Sequence, residues 1–154
     1  MTQRVRNYYN HAPASIKAMM DLEKSFADSG IEKTIQEFVK LRASQINGCA
    51  FCIHMHSTDL RKMGESEMRL YMLSAWHESS LYTPRERAAL AWTEALTLIA
   101  DTHAPDADYE ALKAEFNEAE QVQLSLMIGA INAWNRLAIG VRAEHPVEHA
   151  REVA

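Results

Sequence analysis

The sequence has no basic stretch. Its 16 Lys and Arg are outnumbered by 21 Asp and Glu, for a formal net charge of −5, and the densest pair, Arg61-Lys62, is too short to form a positive face. Nucleic acid and anionic membrane surfaces both require such a face, so neither is an expected partner. No run of about 18 apolar residues is present, which argues against a membrane-spanning helix. Met1 to Arg6 lead into Asn7, Tyr8, Tyr9 and Asn10 rather than into the apolar stretch of a signal peptide. Cysteine is scarce: Cys49 and Cys52 are the only two. A secreted disulfide framework needs more of them, at wider spacings. The expectation is a soluble cytoplasmic protein that uses its one CxxC for redox or metal chemistry.

Strand signals are nearly absent too. No segment sustains a two-residue alternation, and Asn47-Gly48 lies between helical patterns rather than between strands. Repeats, linkers and low-complexity tracts are also missing. What remains is 154 residues with 47% apolar content, enough to build one core. The fold class expected is all-α: a single-domain bundle of about six to seven helices over residues 1–154.

The helices are bounded by local signals. One is expected from Pro13 to Ala27, ended by Gly30, and a second from Glu32 to Gln45, broken by Asn47-Gly48. A third starts at or just after Cys49 and reaches Met63, and a fourth runs from Glu65 or Ser66 to Trp76 or His77. Thr83-Pro84-Arg85-Glu86 joins a capping box to a proline in the first turn and opens a helix through Ile99. A loop is expected at His103 to Asp106, then a short helix from Asp108 to Phe116. Asn117 with Glu120 caps the last helix, which reaches Val141. That helix is apolar around much of its circumference, as suits either a central core helix or a subunit interface.

Cys49, Cys52 and His56 stand at i, i+3 and i+7 of the third helix, on one face. In the first turn, unpaired backbone N–H groups and the helix dipole favour thiolate over thiol. His56, one turn beyond Cys52, can take or return a proton. Reduction of a hydroperoxide needs a thiolate to attack, a proton for the leaving oxygen and a second thiol to condense with the sulfenic acid. All three are present. Two other readings stay open at this level. The cysteines can be read as small core residues, or, with His56, as three of the four ligands of a zinc site, although no second CxxC follows. His11, His54, His77, His103, His145 and His149 fit surface or loop positions, and the methionine pairs Met19-Met20 and Met68/Met72 fit core or interface.

The stretch from Leu41 to His56, LRASQINGCAFCIHMH, resembles the alkylhydroperoxidase D core of the carboxymuconolactone decarboxylase superfamily. That motif carries a glutamate twelve residues before the first cysteine and a histidine four after the second. Glu37, Cys49, Cys52 and His56 occupy all four places. The close match spans residues 37–64, and Thr83–Leu98 and Ala130–Arg136 are similar more loosely. The resemblance implies an AhpD-like helical fold, assembly as a homo-oligomer (trimer or hexamer), and reduction of alkyl or hydrogen peroxide without a bound cofactor or metal. It implies a dithiol electron donor, such as a lipoyl-bearing or thioredoxin-like protein. Cys52 is then the peroxidatic thiol, Cys49 the resolving thiol, and Glu37 a buried carboxylate passing a proton towards Cys52 or His56. Glu23 has the same residue type without the motif position. The best-known peroxidase of the family has a histidine where this chain has Phe51, and the superfamily's decarboxylases generally lack the CxxC. The alternatives in other classes are a non-redox decarboxylase or lactone-handling enzyme, and an oligomer whose thiols only sense oxidants.

Overall fold

The computed structural model describes residues 2–147, and among them it contains eight α-helices and no strand. They are α1 (Pro13–Ser25), α2 (Lys33–Asn47), α3 (Ala50–Lys62), α4 (Glu67–Met72), α5 (Pro84–Thr97), α6 (Ile99–Thr102), α7 (Asp106–Glu115) and α8 (Glu118–Val141). The count exceeds the expected six to seven because the fifth pattern divides. At Leu98 the backbone leaves helical geometry (φ −102°, ψ 29°), and α6 adds a separate turn. The fourth pattern is α-helical only to Met72. It continues as a 3-10 helix, Leu73–Glu78, with a kink at Ala75.

The capping signals are used as written. Thr83 and Glu86 form a reciprocal capping box with Pro84 behind it, and Asn117 and Glu120 form another. Each satisfies backbone donors that the helix start leaves unpaired.

Helix α2 is the axis of the bundle and packs against α3, α5 and α8. On one side Ile35 and Val39 join Ala89, Leu124 and Ile128 of α5 and α8. On a second, Phe38 and Leu41 meet Leu60, Leu73 and Leu90. On the third, Ala43 packs with Cys49, Cys52, Ile131 and Ala138. A helix used on three sides must bury polar residues as well, and here they are paired. Arg42 Nε donates to Glu94 Oε1 at 2.8 Å, and Lys40 Nζ donates to Glu23 Oε2 at 2.8 Å.

Helix α8 is the one helix among the described residues long and apolar enough, by composition, to cross a bilayer. It is built as a core helix: Leu124, Met127, Ile128 and Ile131 are fully buried, and the buried Asn132 and Asn135 hydrogen-bond to other helices.

Candidate active site

The two cysteines are placed by the joint between α2 and α3. Gly48 ends α2 in the left-handed region (φ 70°), where glycine carries no Cβ penalty. Its N–H donates to Gln45 O at 3.2 Å, and the next N–H, of Cys49, donates to Ser44 O at 2.9 Å. These are the two bonds of a Schellman closure. The residue that completes it is also the N-cap of α3. Cys49 has extended backbone geometry, and its Sγ accepts the N–H of Cys52 at 3.4 Å.

A cysteine thus fills the place normally taken by Ser, Thr, Asp or Asn, which sets its ionisation. The Cys52 thiol donates to Cys49 Sγ, and the N–H groups of Cys52 and Phe51 and the Asn135 side chain add to it. Against the cost of burial they bring Cys49 down to about 7. Cys52 moves the opposite way. Its proton is held on Cys49, and burial and the neighbouring negative charge add to the rise. The two form one titrating unit, with the negative charge on Cys49 and the shared proton on Cys52. Both are buried, free cysteines.

Cys52, His56 and Glu37 line a cavity of about 500 Å³. Its walls come from α1 (Met20, Glu23), α2 (Glu37, Lys40), α3 (Phe51, Met55), α8 (Ile131, Trp134) and the N-terminal turn (Tyr8, Tyr9). Tyr8 and Tyr9 stack with ring centroids 4.3 Å apart, and Tyr9 lies 6.3 Å from Trp134. Arg4 holds this N-terminal segment on the end of α8, its N–H donating to Val141 O at 2.9 Å.

Glu37 is buried. Burial pushes its pKa up, but the hydrogen bond and charge of His56, with Lys40 and Lys33, outweigh this and hold it at about 2. Its Oε2 lies 2.8 Å from His56 Nδ1. A carboxylate can only accept, so Nδ1 carries the hydrogen and Nε2 is the free position of the ring. That Nε2 is buried and has no hydrogen-bond partner. Buried polar atoms without a partner are uncommon, and this one shares the cavity with Cys52.

The four motif positions therefore converge on one site, but the pairing differs from the simplest reading of the spacing. Cys52 is not the thiol drawn towards the anion. The resting charge belongs to Cys49, because the N-cap donors converge there. Met20 is also not core: it faces the cavity. The remaining histidines stay apart. His54 stacks on His145 with centroids 5.5 Å apart, His77 lies against Trp76 and Glu94, His103 is in a left-handed loop, and His11 is exposed. His149 lies outside the described residues. Among the described residues no three His, Cys, Asp or Glu side chains are grouped to hold a metal ion.

Sequence reasoning missed Lys40, the tyrosine pair and, above all, the asparagines of α8. The available signal was polar residues at 132 and 135 inside an otherwise apolar helix. The sequence profile of the carboxymuconolactone decarboxylase family matches residues 13–95, which include α2, α3 and all four motif residues. The uncharacterized protein YdfG of Bacillus subtilis is 48% identical over 141 residues, covering 92% of this chain and 95% of its own. A protein of unknown function from Agrobacterium tumefaciens, provisionally assigned to AhpD-type antioxidant defence, superposes with a TM-score of 0.91 at 48% identity. That match covers 96% of this chain and 100% of the other. The debrominase Bmp8 has the same fold (TM-score 0.80, over 90% of this chain and 74% of its own) at only 18% identity, so the fold serves more than one chemistry. With its family profile matched over more than half its length and its helices laid out as in these relatives, the chain belongs to the carboxymuconolactone decarboxylase family.

Proposed function

We propose that the protein is a thiol-dependent peroxidase that reduces alkyl or hydrogen peroxide through a Cys49–Cys52 dithiol/disulfide cycle. The observation that carries this reading is the division of labour between the sulfurs. Cys52 opens on the cavity beside the free His56 Nε2, while Cys49 stands behind it as the stabilised thiolate. Peroxide entering the cavity meets Cys52. As its sulfur attacks the distal oxygen, His56 Nε2 takes the thiol proton, the O–O bond breaks, and the departing alkoxide or hydroxide receives that proton. Cys52 is now a sulfenic acid. The Cys49 thiolate attacks its sulfur, the S–O bond breaks, hydroxide leaves as water after protonation, and the disulfide forms. Two electrons have passed from the sulfur pair to the peroxide. A dithiol, carried by a lipoyl-bearing or thioredoxin-like protein, returns them. Glu37 keeps the His56 ring oriented and stabilises it when it is protonated.

A cytoplasmic setting would keep the pair reduced between turnovers, and a homo-oligomer, trimer or hexamer, is the working form this reading carries. The test is stoichiometric. One equivalent of cumene hydroperoxide or hydrogen peroxide should consume both thiols and give an intramolecular disulfide by mass spectrometry. Cys52→Ser should abolish peroxide consumption, and Cys49→Ser should stop after one turnover with a trappable sulfenic acid. Two persistent free thiols after peroxide would overturn the reading and leave the decarboxylase and oxidant-sensor alternatives.

A further inference from the structure

Asn135 is fully buried on the face of α8 that packs against the cysteines, between Ile131 and Ala138 of the same small cluster. Its Oδ1 accepts from Asn47 Nδ2 at 2.8 Å, and its Nδ2 donates to Ser44 Oγ at 3.0 Å. Ser44 Oγ in turn donates to Lys40 O at 2.7 Å, which leaves its lone pairs for Asn135. An amide has two N–H groups, and only one is spent on Ser44. The same side chain faces the dithiol and acts to lower the pKa of both cysteines.

An asparagine facing a sulfur can present its donor or its acceptor, and the outcome depends on which. Here a chain of partners settles it. Arg136 Nη1 donates to Asn132 Oδ1 at 3.0 Å, and arginine cannot accept. On the other side Asn132 Nδ2 donates to Ile128 O at 2.9 Å, and a carbonyl cannot donate. Asn132 is thereby fixed. Its Oδ1 accepts from Asn47 Nδ2 at 2.9 Å, so the Asn47 amide presents its nitrogen, and that nitrogen is also what meets Asn135 Oδ1. Asn135 is left with its NH₂ towards Ser44 and the dithiol.

We propose that Asn135 is a thiolate-stabilising residue of this site, a buried amide donor whose orientation is locked by the chain Arg136–Asn132–Asn47 so that it always offers N–H to Cys49 and Cys52. The proposal rests on the dithiol being the reactive pair, but not on peroxide being the oxidant. It also explains why α8, outside the family match at residues 13–95, carries two buried asparagines in its apolar stretch. The titratable groups that share the cavity with Cys52 are Tyr8 and Tyr9 of the N-terminal turn, Glu23 and Lys24 of α1, Glu37 and Lys40 of α2, and His56 and Asp59 of α3. Helix α8 adds none, so a change at 135 alters the donor without changing any of them.

The test is the rate of iodoacetamide alkylation of the reduced full-length protein against pH, with melting temperature and helical circular dichroism as fold controls. Asn135→Asp keeps the shape but replaces the donor with a carboxylate, and Asn135→Ala removes the whole amide, the acceptor for Asn47 included. Asn135→Ala should raise the midpoint of the more reactive thiol by about one pH unit, and Asn135→Asp should raise it further. The disulfide of either variant should be harder to reduce in a glutathione titration, because the reduced form has lost a stabilised thiolate. Folded variants with wild-type alkylation profiles would overturn the proposal. If neither variant at 135 folds, Asn47→Ala, at the half-buried end of α2, frees the Asn135 amide to turn over. A raised midpoint there supports the proposal, and an unchanged one overturns it. Because no peroxide is used, failure here is distinguishable from failure of the peroxidase reading.

Discussion

Glu37 shows how far a single residue can be read. From its neighbours alone it is a helix-face carboxylate, and only the motif spacing marks it. What buries it is a partner 19 positions away, His56, with Lys40 and Lys33 alongside, and no periodicity reports that. Two predictions follow from its environment. Glu37→Gln keeps the shape but loses the charge that orients His56 and stabilises its protonated form. Peroxide turnover should fall at least about tenfold, at the low end for loss of acid–base assistance, with little change in helical content. His56→Gln should do the same, and the double variant should lose less than the product of the two, because the pair works as a unit. Glu23 would be a poor comparison despite its residue type, since it holds buried Lys40 at 2.8 Å and faces the same cavity. Exposed Glu78 serves instead, and Glu78→Gln should match wild type in a turnover assay. The second prediction concerns acid stability. Glu37 has a folded value of about 2 against an ordinary 4.5. Folding therefore depresses it, and its stabilising contribution is complete above about 4.5 and is lost as pH falls towards 2. Urea midpoints measured down this range should fall less for Glu37→Gln than for wild type.

At the scale of the element, ends were legible where a side chain makes them and illegible where packing does. Thr83-Pro84 and Asn117 start α5 and α8 at the positions the sequence marks, and Gly48 closes α2. The kink at Ala75 and the break at Leu98 carry no Gly or Pro. The loop expected at His103 to Asp106 is present, but the left-handed geometry of His103 and Ala104 (φ 56° and 51°) has no glycine to announce it. Tertiary contacts impose these, so local propensity cannot announce them. The cap positions make a graded prediction. Thr83→Ala should cost about 1 kcal/mol of stability and leave thiol reactivity unchanged, since α5 contributes nothing to the cavity wall. Gly48→Ala meets no steric neighbour, yet it places a Cβ in a left-handed residue and should cost about 1 kcal/mol. Because Gly48 sets the geometry by which Cys49 caps α3, that variant alone should also slow alkylation near pH 7. Equal alkylation rates in the two variants would mean that the Schellman joint does not tune the thiol.

For the whole molecule, α8 takes the first of the two meanings the sequence left for an all-round apolar helix, a central core helix, and its outer side is where the second, a subunit interface, can be tested. One side is the core helix described above. The other shows Val122 and Leu126 at 60% and 48% exposure, aligned with Gly129 and Ala133. Leu98 and Ile99, at the break between α5 and α6, are also exposed, and a groove of about 380 Å³ runs between Ile99, Gly129 and Ala133. Scattered apolar residues on a surface need no explanation, but a contiguous strip does. Small residues at 129 and 133 let a second helix approach closely, with Leu126 and Ile99 as its flanking contacts. The strip is separate from the cavity, whose α8 residues are Ile131, Trp134 and Ala138 on a different face. A self-association through it leaves the active site open. We therefore expect light scattering at micromolar concentration to give a small multiple of 17.5 kDa, three or six copies. Leu126→Glu, which puts a charge into the strip without touching the core, should shift the mass towards one copy and lower the melting temperature in a concentration-dependent way. The pH profile of Cys49 alkylation should stay where it was. A wild-type mass of 17.5 kDa would end the oligomer reading, and an unchanged mass for Leu126→Glu would move the interface to another face.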